Sequence, residues 1–371
     1  PKAPNMKILQ ILPELNSGGV ERGTVEFARE LVKQGHESIV VSAGGRQVAQ
    51  LEREGSRHIQ MPVHKKSLSS LWQVRPLRRL FEAEQPDIVH MRSRVPAWLS
   101  VLASKKMSPE KRPLLVSTFH GMYSVNAYSA VMGKSNRVIA ISAAVKDYIL
   151  KNYPDVSESD IRMVHRGADP EQFPLGFQAS EAWLATMFAE HPQLKGQKIL
   201  LMPGRLSRWK GQLDFIELIA QLRAQGEAVC GLVAGSSDGA KQNYEEELRQ
   251  SALAQGVEDY VVFLGHRTDM TELYSFSDIV FNLSNRPEPF GRTVTEALSV
   301  GTPVVAYDQG GPGEVLRDCF PEGLSDRDSL PEVVKNVLAK PSSIHFHDNY
   351  LLSTQVELTL SVYKELLADK S

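Results

Sequence analysis

Two glutamates stand eight residues apart around a glycine in Glu288-Pro-Phe-Gly-Arg-Thr-Val-Thr-Glu296. The apolar stretch Ile279 to Leu283 before them reads as a strand, and Thr293 to Val300 reads as a helix. Such a strand delivers Glu288 to the carboxyl edge of a sheet. The glycine turn then presents the backbone N–H groups of Gly291, Arg292 and Thr293 at a helix N-terminus, where anions are favoured. Glu296, inside the first turns of that helix, is placed to accept hydrogen bonds from a ribose diol. A proline turn with ordinary acidic bias at a helix start would explain one glutamate. It does not explain the run that follows, Gly301-Thr302-Pro303 and Gly310-Gly311.

A second segment, Gly204-Arg205-Leu-Ser-Arg208-Trp-Lys210-Gly211, ends the strand read over Lys198 to Met202. Arginine offers a bidentate fork and lysine a compact charge, a pair suited to a diphosphate leaving group. A plain basic surface loop with Arg208 as third member is the competing reading, and the position at a strand's carboxyl end weighs against it. A third segment, Ser17-Gly18-Gly19-Val20-Glu21, follows the strand Ile8 to Leu12. Its glycines let a backbone approach phosphate or sugar closely. The spacing departs from the G-x-G-x-x-G fingerprint and no acidic residue ends the second strand, which disfavours a nicotinamide dehydrogenase.

These segments need a scaffold of alternating strands and helices. In the first half, strands are expected at Ile8 to Leu12, Ser38 to Ala43, Ile59 to Val63, Ile88 to His90, Leu114 to Phe119, Arg137 to Ile141 and Ile161 to His165. Helices are expected at Val20 to Gln34, Leu71 to Glu84 and from a Ser142 cap to Asn152. The alternation restarts at Lys198 and continues to a long amphipathic helix, Leu351 to Asp369. Pro1 to Asn5 reads as a frayed end. The fold class is α/β: two doubly wound domains with parallel sheets, facing a central cleft. Their expected limits are 1–172, for the acceptor, and 173–350, for the donor. Residues 351–371 form a helix packing back toward the first domain.

A chain of 371 residues exceeds one ordinary core, which agrees with two domains. Its 42% hydrophobic and 23% charged residues fit a globular protein rather than a disordered one. Cys230 and Cys319 form no C-x-x-C pair, so neither a disulfide framework nor a zinc site is expected. No apolar run is long enough to span a membrane, and no signal-peptide pattern is read. The net charge of −2 is unevenly spread: residues 1–172 carry 25 Lys+Arg against 17 Asp+Glu, or +8. Solvated helix faces explain any one basic cluster. A whole half at +8 also fits an anionic membrane surface or a phosphorylated acceptor, and without a recognised motif it does not suggest nucleic acid.

Together the E-x(7)-E element, Glu288 to Glu296, and the G-R-x(4)-K-G element, Gly204 to Gly211, resemble the retaining glycosyltransferases of the glycogen-synthase-like family 4, including enzymes of bacterial lipopolysaccharide core and surface-glycan synthesis. The resemblance runs from Met6 to about Leu367. It implies the GT-B fold and transfer of a sugar from a nucleotide diphosphate sugar, with UDP as the nucleotide, to a glycan or glycolipid acceptor. It implies a donor site of Gly18, Gly19, Arg205, Lys210, Arg267, Phe290, Gly291, Arg292, Thr293 and Glu296, with Glu288 facing the transferred sugar. Catalytic roles fall to His120, Glu288, Arg205 and Lys210, where His120 stands at a strand end beside the donor sugar. Arg92, Arg94 and Tyr123 would line the acceptor side, the first two in a loop after the fourth strand. His36 and His90 read as structural. Arg166 stands where many relatives carry asparagine before Gly167-Ala168-Asp169, and an arginine there could reach donor phosphate or an anionic acceptor.

No D-x-D motif ends a strand, so neither a metal nor another cofactor is expected, and the two cations serve instead. Front-face attack assisted by the leaving phosphate is preferred to a Glu288 nucleophile, with domain closure excluding water. A sugar phosphorylase, a nucleotide-sugar epimerase, a GDP-sugar donor and a non-catalytic nucleotide-sugar-binding subunit are the alternatives. The expected location is cytoplasmic, peripheral at the inner face of the membrane.

Overall fold

The computed structural model describes residues 5–237, 242–341 and 343–371. Pro1 to Pro4 lie outside these residues. The chain divides into two compact units, one of residues up to His165 together with Val356–Ser371, the other of Arg166–Gln355.

In the first unit the strands are β1 (Lys7–Ile11), β2 (Glu37–Ser42), β3 (Arg57–Gln60), β4 (Ile88–Met91), β5 (Leu114–Phe119), β6 (Arg137–Ala140) and β7 (Ile161–Met163). The helices between them are α1 (Gly19–Lys33), α2 (Val48–Arg53), α3 (Val74–Glu84), α4 (Arg94–Lys105), α5 (Ala127–Ala130) and α6 (Ala143–Asn152). All strand pairs are parallel, in the order β3-β2-β1-β4-β5-β6-β7. The β1 residues Ile8, Leu9 and Ile11 are fully buried because helices cover both faces, which is why the strand reads as a continuous apolar run. Ser142 caps α6 by accepting a hydrogen bond from the Val145 N–H at 3.1 Å.

The second unit begins with α7 (Glu181–Glu190) and continues through β8 (Lys198–Pro203), α8 (Gln212–Ala224), β9 (Val229–Ala234), α9 (Gln242–Ala254), β10 (Val261–Gly265), α10 (Met270–Phe276), β11 (Ile279–Asn282), α11 (Arg292–Val300), β12 (Val304–Tyr307), α12 (Gly310–Cys319), β13 (Leu324–Ser325) and α13 (Leu330–Ala339). Its sheet is also parallel, ordered β10-β9-β8-β11-β12-β13. The Phe215 and Phe281 rings, 5.4 Å apart, pack α8 onto β11.

In each sheet the chain first winds one way and then the other. The reversal falls between β1 and β4 in the first unit and between β8 and β11 in the second. Loops leaving adjacent strands at such a switch point open a crevice at their carboxyl ends, where doubly wound sheets bind ligands.

The last helix, α14 (Leu352–Lys370), passes from one unit's residues into the other's. Within the first unit its Tyr363 hydroxyl bonds His90 Nδ1, and its Asp369 meets Arg137 at 3.0 Å. Within the second, Gln355 accepts the Gly167 N–H at 2.8 Å, and Ala168 bridges to Leu351. A Cβ on Gly167 would lie 2.3 Å from the Leu351 backbone, so that close pairing requires the glycine.

Candidate functional site

In the second unit, both segments singled out from the sequence leave the two strands that flank the reversal. The loop Gly204 to Gly211 follows β8, and Leu283 to Gly291 follows β11. Gly211 adopts φ +89°, and a Cβ there would fall 2.0 Å from the Leu283 carbonyl oxygen. The glycine therefore lets the first loop lie directly against the second, which sets Lys210 beside Glu288: Nζ stands 2.8 Å from Oε1. Glu288 is 6% exposed and also accepts hydrogen bonds from Asn282 Nδ2 at 3.1 Å and Ser284 Oγ at 2.5 Å. Burial by itself pushes this carboxyl up. The charge and hydrogen bond of Lys210, with the bonds from Ser284 and Asn282, outweigh burial and hold Glu288 below the ordinary carboxyl value.

The glycines after β12 secure the same loop from the other side. Gly311 donates its N–H to the Glu288 carbonyl at 2.9 Å. A Cβ on Gly310 would lie 2.6 Å from that carbonyl oxygen, and one on Gly311 would lie 2.4 Å from Phe290 Cα. Gly310 and Gly311 are the first residues of α12 and not a free loop. Gly291, at φ +89°, is the N-cap of α11 and brings no side chain to it, so the terminus starting at Arg292 and Thr293 has no side-chain cap from its own N-cap residue. Lys210 Nζ lies 4.4 Å from the Trp209 ring centroid, and Arg286 lies 4.0 Å from it. One cation, Lys210, thus meets the buried carboxylate, and a Cβ on the α11 N-cap Gly291 would lie 3.4 Å from Glu288 Oε2, an arrangement suited to binding an anion beside a polar group.

Glu296 is buried and accepts the Tyr274 hydroxyl at 2.8 Å. Arg205 is exposed, and its carbonyl accepts from Gln212 Nε2 at 3.1 Å. Gln212, itself 1% exposed, ties down the loop that carries both cations. Gln212, Asn282, Ser284 and Tyr274 were not expected from the sequence. Only their positions next to the motifs could have raised them, because polar residues of these types usually face solvent.

Two residues expected on the donor side have other contacts in the structure. Phe290 is 3% exposed and packs on Tyr350 at 6.2 Å between centroids, so its side chain is core and any ligand contact falls to its backbone. Arg267 forms a two-point ion pair with Asp269 at 2.9 and 2.7 Å, and Asp269 also accepts Trp183 Nε1 at 2.8 Å. Hydrogen bonding by Arg267 is the main reason that the Asp269 carboxyl falls to about 2. Arg267 is thus committed to bracing the loop before α10. Arg208 is likewise paired, with Glu247 at 2.8 and 2.6 Å.

In the first unit, the loop after β1 is pinned to the loop after β2. Leu15 donates to the Gly44 carbonyl at 2.9 Å, and a Cβ on Gly45 would lie 2.4 Å from Leu15. Gly18 and Gly19 sit at the α1 N-terminus, where the Glu21 carboxylate takes the Gly18 N–H at 2.6 Å. His120 immediately follows β5, and its N–H reaches the Tyr123 hydroxyl at 3.4 Å. Tyr153 holds the Tyr123 loop by donating to the Ser124 carbonyl at 2.7 Å. Arg94 lies 4.9 Å from the Tyr123 ring and 5.0 Å from the Tyr128 ring, and donates to Ser129 Oγ at 3.1 Å. It is the first residue of α4 rather than part of a loop.

Arg92 departs from the expectation of an acceptor contact. It is 7% exposed, and its Nε and Nη2 donate to Gln10 Oε1 at 3.0 and 2.7 Å, over the Phe27 ring. A buried guanidinium needs such partners, so its fork is spent on the core. His90 is fully buried, bonded to Tyr363 and, at 2.6 Å, to Thr118. Burial, then the charges of Arg92 and His120, keep it neutral. His36 accepts the Met6 N–H at 3.1 Å, which is a structural bond.

Among the described residues no helix is long and apolar enough to cross a membrane, and no group of three His, Cys, Asp or Glu side chains could hold a metal ion.

Residues 17–172 match the family model described as Glycosyltransferase Family 4, and residues 185–337 match the model described as Glycosyl transferases group 1. The chain is 23% identical over 308 residues to the putative glycosyltransferase YtcC of Bacillus subtilis (strain 168), covering 77% of this chain and 74% of that relative. The crystal structure of a glycosyltransferase from Rickettsia africae ESF-5 superposes with a TM-score of 0.84 at 28% identity, over 98% of this chain and 99% of the other. Anabaena Alr3699/HepE, crystallised with UDP and glucose, shares the fold with a TM-score of 0.73 at 22% identity, over 98% and 99% of the two chains. The two parallel sheets are those of the GT-B architecture. By these matches the chain is a glycosyltransferase built of a Glycosyltransferase Family 4 domain, residues 17–172, and a Glycosyl transferases group 1 domain, residues 185–337.

Proposed function

We propose that this protein transfers a sugar from a UDP-sugar to a glycan or glycolipid acceptor, with retention at the anomeric carbon, without a metal ion, in lipopolysaccharide or surface-polysaccharide assembly. The observation that carries the proposal is the Lys210–Glu288 pair beside the α11 N-terminus. In this reading the donor diphosphate lies against Arg205, Lys210 and the N–H groups after Gly291. As the bond from the anomeric carbon to the diphosphate breaks, negative charge grows on the departing oxygen. Fixed cations and amide dipoles stabilise it without rearranging. Glu288 faces the sugar as a carboxylate, and Glu296, steadied by Tyr274, takes the ribose.

Glu288 already accepts hydrogen bonds from three side chains. A carboxylate so engaged is a poor nucleophile, which supports front-face attack over a covalent intermediate. The acceptor oxygen then bonds the anomeric carbon on the face the diphosphate leaves, and its proton passes to the leaving phosphate. The resemblance to the family assigns His120 to the sugar, and Arg94 and Tyr123 to the acceptor. The UDP and glucose bound by the structural neighbour support the choice of nucleotide. The basic first 172 residues support work at the inner face of an anionic membrane.

A panel of UDP- and GDP-sugars, screened by thermal stabilisation and then by donor hydrolysis, tests the reading. Lys210→Ala and Arg205→Ala are expected to lower transfer by roughly 10²-fold or more with the fold retained. Full activity in both variants, or stabilisation by GDP-sugars alone, would overturn the diphosphate or the uridine assignment respectively. Activity that survives chelator, and a product anomer matching the donor by NMR, are expected.

A further inference from the structure

The first unit carries a groove that the donor chemistry does not use. It has a volume of about 280 Å³, and its lining includes Leu68, Leu71, Val95, Trp98 and Tyr128 together with Lys65 and Lys66. Its lip is unusually apolar for a surface. Leu68 is 86% exposed, and the neighbouring Trp72 is 80% exposed. Apolar side chains held open beside a concave apolar slot mark a binding surface rather than chance exposure.

The groove runs to the acceptor residues through one ring. Tyr128 lines the groove and lies 4.0 Å from Lys66 Nζ and 5.0 Å from the Arg94 guanidinium. Arg94 continues to Tyr123, whose hydroxyl meets the His120 N–H. Among the described residues neither Lys66 nor Arg94 has a carboxylate partner, so two uncompensated cations stand where the apolar slot gives way to the polar site. Arg75 and Arg79, exposed on α3, add to the positive side. Arg112 of the same unit is instead spent on structure: it donates to the carbonyls of Ser104 and Lys105, both at 2.9 Å, at the end of α4. The sequence of surfaces is therefore apolar slot, paired cations, then histidine.

We infer that the groove holds the hydrocarbon chain of a lipid-linked acceptor whose phosphate lies between Lys66 and Arg94, with its sugar directed to His120. The inference rests on the transferase reading above and names the acceptor class. A concave slot accommodates a single chain, whereas a flat bilayer surface could not fill it.

Calorimetric titration of the whole protein with alkyl phosphates, kept below their micellar concentrations, tests this. Dodecyl phosphate should bind saturably, hexyl phosphate at least ~10-fold more weakly, and methyl phosphate more weakly still, because each buried methylene adds to affinity. Leu68→Glu with Leu71→Glu, both at exposed positions and so compatible with folding, should lower dodecyl phosphate affinity ~10-fold or more. Lys66→Ala should weaken dodecyl phosphate severalfold and leave neutral dodecyl maltoside unchanged. Methyl phosphate binding as tightly as dodecyl phosphate would overturn the inference, as would unaltered binding in the double glutamate variant. Binding to phosphatidylglycerol vesicles but not to monomeric dodecyl phosphate would also overturn it, and would mark a bilayer-docking surface instead. Donor hydrolysis, measured on the same samples, separates the two readings. Intact hydrolysis with no alkyl phosphate binding removes the groove and keeps the transferase. Alkyl phosphate binding with no hydrolysis of any donor removes the acceptor role.

Discussion

Replacing Lys210 by alanine strips a buried carboxylate of its only charged partner among the contacts of Glu288 described above. Glu288 is 6% exposed, while a quarter of the Lys210 side chain reaches solvent. Breaking a fully buried pair costs about 3–5 kcal/mol, and the partial exposure of Lys210 lowers that to roughly 2–3 kcal/mol. The unfolding transition of the second unit should then fall by about 5–10 °C. The pH dependence makes the cause visible. In the native protein Glu288 lies below its ordinary value of 4.5, so its contribution is present above that value and lost as pH falls through the folded one. Without Lys210, burial is no longer outweighed and the carboxyl shifts upward. The folded variant then favours the protonated form and loses stability as pH rises through the raised value. The gap between native protein and Lys210→Ala should be widest near pH 7 and shrink toward pH 4.5. Glu288→Gln in the Lys210→Ala background should recover most of the loss, since the amide removes the stranded charge. Differential scanning calorimetry across that range reads all three proteins. A gap that does not change with pH, or a double variant as unstable as Lys210→Ala, would refute the argument that an uncompensated Glu288 carries the cost.

Other substitutions separate positioning from contact. Gly311→Ala would force a Cβ to 2.4 Å from Phe290 Cα, so the Glu288 loop must shift; transfer should fall ~10-fold or more while circular dichroism stays native. Tyr274→Phe removes the hydroxyl that donates to buried Glu296, which should cost about 1–3 kcal/mol and raise the donor KM more than it lowers kcat. Arg267→Ala removes the main bond holding Asp269 near 2, against an ordinary 3.8, and should cost about 1–2 kcal/mol above pH 4, a loss that vanishes as pH drops toward 2. A raised donor KM at unchanged stability would instead return Arg267 to the donor site.

The local pattern carried a large part of the fold. Leu114–Phe119 has the limits that its apolar run and flanking breakers suggest, and Ser142 caps its helix as a serine before an apolar run should. Helices α4 and α12 are among those that were illegible. The α4 segment begins Arg-Val-Pro and is apolar nearly all round, so it shows little helical period, and Arg94 read as loop. The α12 segment opens Gly-Gly-Pro-Gly, which by propensity is a turn; packing of those glycines against the Glu288 loop selects the helix.

The sequence by itself determined which residue types stand at strand ends: Arg205 and Lys210 after one strand, Glu288 after another, and His120 after a third. It also determined that glycines adjoin them. It could not say that β8 and β11 are neighbours, because strand order arises from crossover connections and not from local pattern. That adjacency, with Gly211 seated on the Leu283 carbonyl, is what turns two motifs 78 residues apart into one ion pair. Nor could it give direction. Arg92 and Arg94 are two residues apart and look alike in the sequence, yet one turns inward to Gln10 while the other lies between Tyr123 and Tyr128. Burial and the partners already in place decide that, and both exist only once the chain has folded.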